Sequence, residues 1–133
     1  MDSWMARIAL VASGGAVGSV ARYGLDAWIR HLGPATASRF PLGILLVNTL
    51  GCFAFGWVVG LAGGLGAVPP ERRLFLLTGV LGGFTTFSTF GHDTVRLLAT
   101  GATGSAMLNA IGSVVLGIGA VLAGLGCGRL TAG

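Results

Sequence analysis

Four long apolar stretches, each closed by a cluster of glycine, proline or charge, divide the chain. They cover about 4–29, 42–65, 72–98 and 105–125, and the polar positions gather between them. A helix needs ~20 apolar residues to cross the hydrocarbon of a bilayer, so each stretch predicts one membrane-spanning helix. Alternation with period two is absent, which argues against a barrel of strands. The pattern therefore predicts an all-α membrane protein, with four transmembrane helices forming one domain over residues 1–133.

The third stretch is interrupted at Thr78-Gly79-Val80-Leu81-Gly82-Gly83-Phe84-Thr85-Thr86-Phe87-Ser88-Thr89-Phe90. A glycine pair followed by adjacent β-branched threonines weakens a helix and predicts a break near its middle, with halves at about 72–83 and 86–98. In lipid, a broken helix releases backbone groups that must find other partners, and such breaks commonly mark ion sites. Beyond the break, Phe87 and Phe90 fall on one face, while Thr86 and Thr89 put hydroxyls on neighbouring faces. The plainer reading of the same letters is a helix packed through small residues, with its aromatics in lipid.

Small residues recur elsewhere at helical spacing, at 13–19 in the first stretch and at Gly56 and Gly60 in the second, and predict close helix contacts. Asn48 is the one strongly polar residue of the second stretch. An unpartnered amide in hydrocarbon costs roughly 2–7 kcal/mol, so Asn48 should face a helix, water or a ligand. Asn109, Ser113 and Gly117 share a face of the fourth stretch. Arg22 and Asp26 are four residues apart, near enough to pair at the membrane edge, although an arginine snorkelling to the interface is the favoured reading. Loops are expected at 30–41, around Gly33-Pro34 and Pro41, at 63–70, and at 101–104, with a glycine-rich tail after 125.

Composition strengthens the membrane reading. Of the 133 residues, 53% are hydrophobic and 9% charged, and the mean hydropathy is +0.87. The net charge of +4 suits membrane flanks rather than nucleic acid, because its arginines are scattered singly or as one pair. Cys52 and Cys127 read as small hydrophobes, and with only His31 and His92 beside them they make no metal-ligand cluster. The first apolar run continues past the core of a cleavable signal and reads as the first span. No internal repeat is visible.

Alternating the loops between two sides places Arg7, Arg72, Arg73 and Arg129 on one side, and Arg22, Arg30, Arg39 and Arg96 on the other. The acidic residues divide equally as well, Asp2 and Glu71 against Asp26 and Asp93. Orientation follows the basic excess in short loops, and here there is none. Insertion in both directions is expected, with oppositely inserted copies pairing about an axis in the membrane plane.

Together these residues resemble the CrcB/Fluc family of bacterial fluoride channels. The resemblance is carried by 14–23, by Val47-Asn48 with Gly51, by 82–90, and by Ser113 with Gly117, and it spans almost the whole chain. It implies a fluoride-specific ion channel of the bacterial inner membrane that passively exports fluoride. It also implies an antiparallel, dual-topology homodimer with two pores and a structural sodium ion (Na+) at the breaks of its third helices. By motif position, Gly82 and Thr85 would offer backbone carbonyls to sodium. Phe87 and Phe90 would line the fluoride path with ring edges, Asn48 would donate its amide, and Ser88, Thr89 and Ser113 would be hydroxyls of the polar track. Arg22 would stand at the vestibule.

Three positions depart from the family pattern: Ile44, where threonine is frequent, Asn109, where tyrosine is common, and Asp93, in place of a glutamate. They leave a pairing with a homologous subunit open. A small proton-coupled multidrug exporter of dual topology would need a membrane-embedded carboxylate, whereas all four acids are expected near span ends. A non-conducting assembly subunit is the third alternative. No phosphate loop or enzyme motif is present in the sequence.

Overall fold

The structure, a computed structural model, describes residues 2–32 and 40–132. The expected Gly33-Pro34 punctuation and Arg39 lie outside the described residues. Those that are described form helices and turns: α1 is Asp2–Leu32, α2 is Leu42–Leu61, α3 covers 70–84, α4 is Phe87–Ala99 and α5 is Thr103–Ala132. Within α3, Pro70–Arg72 and Gly82–Phe84 are α-helical turns flanking a wider-wound π-helical run, Arg73–Leu81. Pro70 begins the helix where its missing N–H costs nothing, and Glu71 places a negative charge in the first turn. Four segments are long and apolar enough to cross a membrane, with α3 and α4 together making the third, Pro70–Ala99.

Most helices outrun the apolar runs that predict them. The tail expected after 125 is instead the last two turns of α5. Its glycines stay helical because they are packing surface: Gly124 and Gly128 are buried against the backbone of α2 around Phe53, Trp57 and Leu61. From the other side, Gly56 and Gly60 press against Val121 and Leu125. A Cβ at any of these four would collide with backbone atoms of the facing helix. A second seam joins α1 to α3, where Gly14 and Gly18 meet Phe75, Gly79 and Val80, and Gly83 lies on Gly15. Contacts advance in the same direction along both members of each pair, so α1 runs parallel to α3 and α2 runs parallel to α5. That is the arrangement an alternating four-span path requires.

Such seams let van der Waals contact act at backbone distance, the main source of helix association in lipid. Gly124→Val should therefore cost about 1–3 kcal/mol through overpacking. Gly126→Val, a position with nothing within 4 Å of the added carbon, should leave thermal melting in detergent near the parent value.

The turns are built from positive-φ glycines. Gly63 and Gly101, each at φ +77°, follow the last turns of α2 and α4 and fold the chain back onto their final carbonyls. The closing bonds run from Gly63 N–H to Gly60 O, 3.1 Å, with Gly64 N–H to Val59 O, 3.0 Å, and from Gly101 N–H to Leu98 O, 3.0 Å, with Ala102 N–H to Leu97 O, 2.9 Å. Buried apolar side chains are few, among them Ile44, Val47, Leu77 and Leu97, while Trp4, Val20, Trp28, Val115 and Leu122 face outward. In water that would be an inverted protein; in hydrocarbon it is the expected surface.

Candidate functional site

The third span breaks at Thr85 and Thr86, two residues beyond the glycine pair. Gly82 and Gly83 remain helical, and Gly83 packs against Gly15 in the seam with α1. The threonines turn extended, Thr85 at φ −82°, ψ 156° and Thr86 at φ −150°, ψ 117°, as β-branched residues readily do. Thr85 ends α3 by sending both its N–H (3.0 Å) and its hydroxyl (2.9 Å) to the Leu81 carbonyl. Thr86 restarts the helix: its Oγ1 accepts the Thr89 N–H at 3.3 Å as the N-cap of α4.

Asn48 closes the break from α2. Its Oδ1 accepts the Thr86 N–H at 2.8 Å, and its Nδ2 donates to the Thr86 carbonyl at 3.1 Å. One side chain thus satisfies both backbone groups of the extended residue, which lipid could not do. The pairing has a further consequence. In a continuous helix the N–H groups of Thr86 and Thr89 would bond the carbonyls of Gly82 and Thr85; here they go to Asn48 Oδ1 and Thr86 Oγ1. The Gly82 and Thr85 carbonyls are thereby released from helical bonding, and Gly82 is exposed.

Hydroxyls gather just beyond. Thr86 Oγ1 lies 3.2 Å from Ser88 Oγ and 3.1 Å from Thr89 Oγ1. Phe87 and Phe90 flank them with ring centroids 5.3 Å apart and planes tilted by 44°. Phe87 is 83% exposed, so in the single chain one ring projects away from the bundle and the other is half-buried beside it. Ser113 is half-buried on α5 and makes no hydrogen bond with these groups.

The departing residues each have a place. Asn109 is 2% exposed and donates Nδ2 to Thr94 Oγ1 at 2.9 Å, while Thr94 donates to the Phe90 carbonyl at 2.8 Å. This chain ties α5 to the Phe-bearing turn of α4. Ile44 is buried and lines a cleft of about 210 Å³ with Ser19, Arg22, Tyr23, Asp26, Arg30 and Thr89. Asp93 lies near the end of the third span, Pro70–Ala99, as expected, yet it is buried, 7% exposed. Its Oδ1 is 3.6 Å from Arg96 Nε and 3.7 Å from His92 Nδ1, and its buried Oδ2 has no partner among the described residues.

Of the two readings of Arg22, the ion pair with Asp26 does not form. Asp26 Oδ2 instead accepts from Arg30 Nε at 2.9 Å, because an acid four residues before a base is the favoured order on a helix. That order was readable from Asp26 and Arg30 themselves. The Asn48–Thr86 pairing carried no sequence signal beyond the need of a lone amide for a partner.

Comparison with known proteins shows the family. The family described as "CrcB-like protein, Camphor Resistance (CrcB)" matches residues 9–125. A protein named fluoride-specific ion channel FluC from Nitratidesulfovibrio vulgaris is 44% identical over 126 residues, covering 95% of this chain and 99% of its own. One of the same name from Agrobacterium fabrum is 49% identical over 126 residues, covering 94% and 98%. Another from Thermus thermophilus is 48% identical over 112 residues, covering 84% and 85%.

Proposed function

The chain belongs to the CrcB-like family, and from that premise we propose that it is a fluoride-specific ion channel, not an enzyme, that lets fluoride leave a bacterial cytoplasm passively across the inner membrane. The observation that carries the reading is the break at Thr85–Thr86, held open by Asn48 beside the Phe87–Phe90 pair. Fluoride enters cells as neutral HF, ionises near neutral pH and is trapped. A membrane potential negative inside then expels it through any selective pore, without energy coupling.

The residues suit a small hard anion. An aromatic ring is positive at its edge, so Phe87 and Phe90 can receive fluoride without the full charge that would hold it too tightly to conduct. Asn48 spends one Nδ2 hydrogen on Thr86 and keeps a second for the anion. Ser88 and Thr89 extend the polar side of the path, and Ser113 is assigned to it by its place in the family motif. Arg22, in the cleft that reaches Thr89, stands at the entrance.

The working unit is an antiparallel homodimer of one four-helix domain per chain, inserted in both orientations. Two features support it: the balanced arginines, and Phe87 projecting from the single chain into space that a partner would fill. The residues present also fit a structural sodium ion. Gly82 and Thr85 present carbonyls freed from helical bonds, hard neutral oxygens of the kind such cations take. Two copies would double the set. When bound, sodium would supply a fixed positive charge near both anion paths.

Purified protein in liposomes loaded with fluoride should release it to an electrode under a potassium–valinomycin potential, and retain loaded chloride. Absence of fluoride efflux would overturn the reading. A C-terminal reporter should show both orientations in cells; a single orientation would remove the antiparallel homodimer.

A further inference from the structure

On α1, residues 19, 22, 23, 26 and 30 follow one another along a single face, and all five line the cleft that Thr89 and Ile44 close from the other side. That face carries two arginines and one carboxylate. Asp26 stands four residues from each arginine but bonds only Arg30, at 2.9 Å. Gly43 makes this possible: Asp26 Oδ1 lies in the space a Cβ would take at the start of α2. Arg22, half-buried in the cleft, has no ion pair among the described residues.

We propose that Arg30 is a positioning residue that keeps Asp26 off Arg22, so that the cleft retains an unneutralised guanidinium facing Thr89 and draws anions toward the hydroxyl cluster. Arg30 is itself largely exposed, 64% at the side chain, and its surface ion pair adds little to stability. Its importance is what it prevents. Without it, Asp26 has one cation within reach on its own helix face, and that cation is Arg22. Pairing there would cancel the positive charge at the mouth and, with it, the local excess of anion.

The transport arm of the test rests on the channel reading; the chemical arm does not. At about 10 mM ionic strength, where charges act over about 30 Å, Arg30→Gln should lower fluoride efflux at subsaturating fluoride about threefold. The deficit should vanish in about 1 M impermeant salt, where screening acts within about 3 Å. Asp26→Asn with Arg30→Gln should restore the parent rate, and Arg30→Lys should keep most of it. In the chemical arm, phenylglyoxal modification of Arg22, followed by peptide mass, should be severalfold slower in Arg30→Gln than in the parent and fast again in the double variant.

Equal Arg22 reactivity in parent and Arg30→Gln would overturn the proposal. So would a flux loss that persists in high salt and is not rescued by Asp26→Asn, since that describes a damaged fold. A parent that passes no fluoride while Arg22 shows the expected protection pattern would overturn the channel reading and support the clamp.

Discussion

Changing Asn48 to aspartate should abolish fluoride efflux and lower the melting temperature together, because the amide that holds the break is also the one proposed to face the anion path. A carboxylate can still accept the Thr86 N–H, but it has no hydrogen to return to the Thr86 carbonyl, and its second oxygen would stand against that carbonyl. Leaving one buried backbone group unpaired costs about 1–3 kcal/mol. Asn48→Leu strands both groups, for about 2–6 kcal/mol by the same measure. Thr86→Ala supplies the control, since it keeps both backbone bonds to Asn48 and removes only the cap and its hydroxyl neighbours. Efflux assays beside thermal melts should rank stability as parent, Thr86→Ala, Asn48→Asp, Asn48→Leu. An Asn48→Asp protein with parental flux and melting would mean that the pairing is incidental.

The second large effect separates transport from folding. Phe87→Ile with Phe90→Ile keeps apolar bulk and removes the ring quadrupoles. If each edge contact is worth about 1.4 kcal/mol to the passing anion, within the range for aromatic interactions, the double variant should conduct about a hundredfold more slowly. Folding should survive, because Phe87 is almost wholly exposed and contributes little to the single chain's packing. Flux at the parent rate would make the two rings ordinary lipid-facing or interface residues and send the search for the path toward Ser113 and Asn109.

Much of this architecture could be read from apolar run lengths, since a helix in lipid is specified by composition over one span. The break was legible close to its place: halves expected at about 72–83 and 86–98 are observed as 70–84 and 87–99. The glycine pair and the adjacent threonines together marked the break, and of these Gly83 has a tertiary reason to stay helical, its packing on Gly15 of α1. The threonines, free of that constraint, take the extended conformation. Asn48 illustrates the opposite limit. Its need of a partner follows from solvation, but the partner's identity depends on how α2 meets the third span, which no local pattern encodes. The burial of Asp93 was not legible for a related reason: closeness to the end of an apolar run measures position along the chain, not enclosure.

The two glycine seams also bear on how the chain is made. Neither seam joins helices that emerge consecutively: α1 is matched with α3, and α2 with α5. During synthesis the first two spans must therefore sit in lipid with their glycine faces unmatched. A chain stopped after Ala99 would still present Gly56 and Gly60 uncovered, ready to accept the fourth span of another copy. Supplying residues 103–132 as a separate polypeptide should complete such a truncated chain, and exchange of this segment between copies is the assembly error to which this order of synthesis is most exposed.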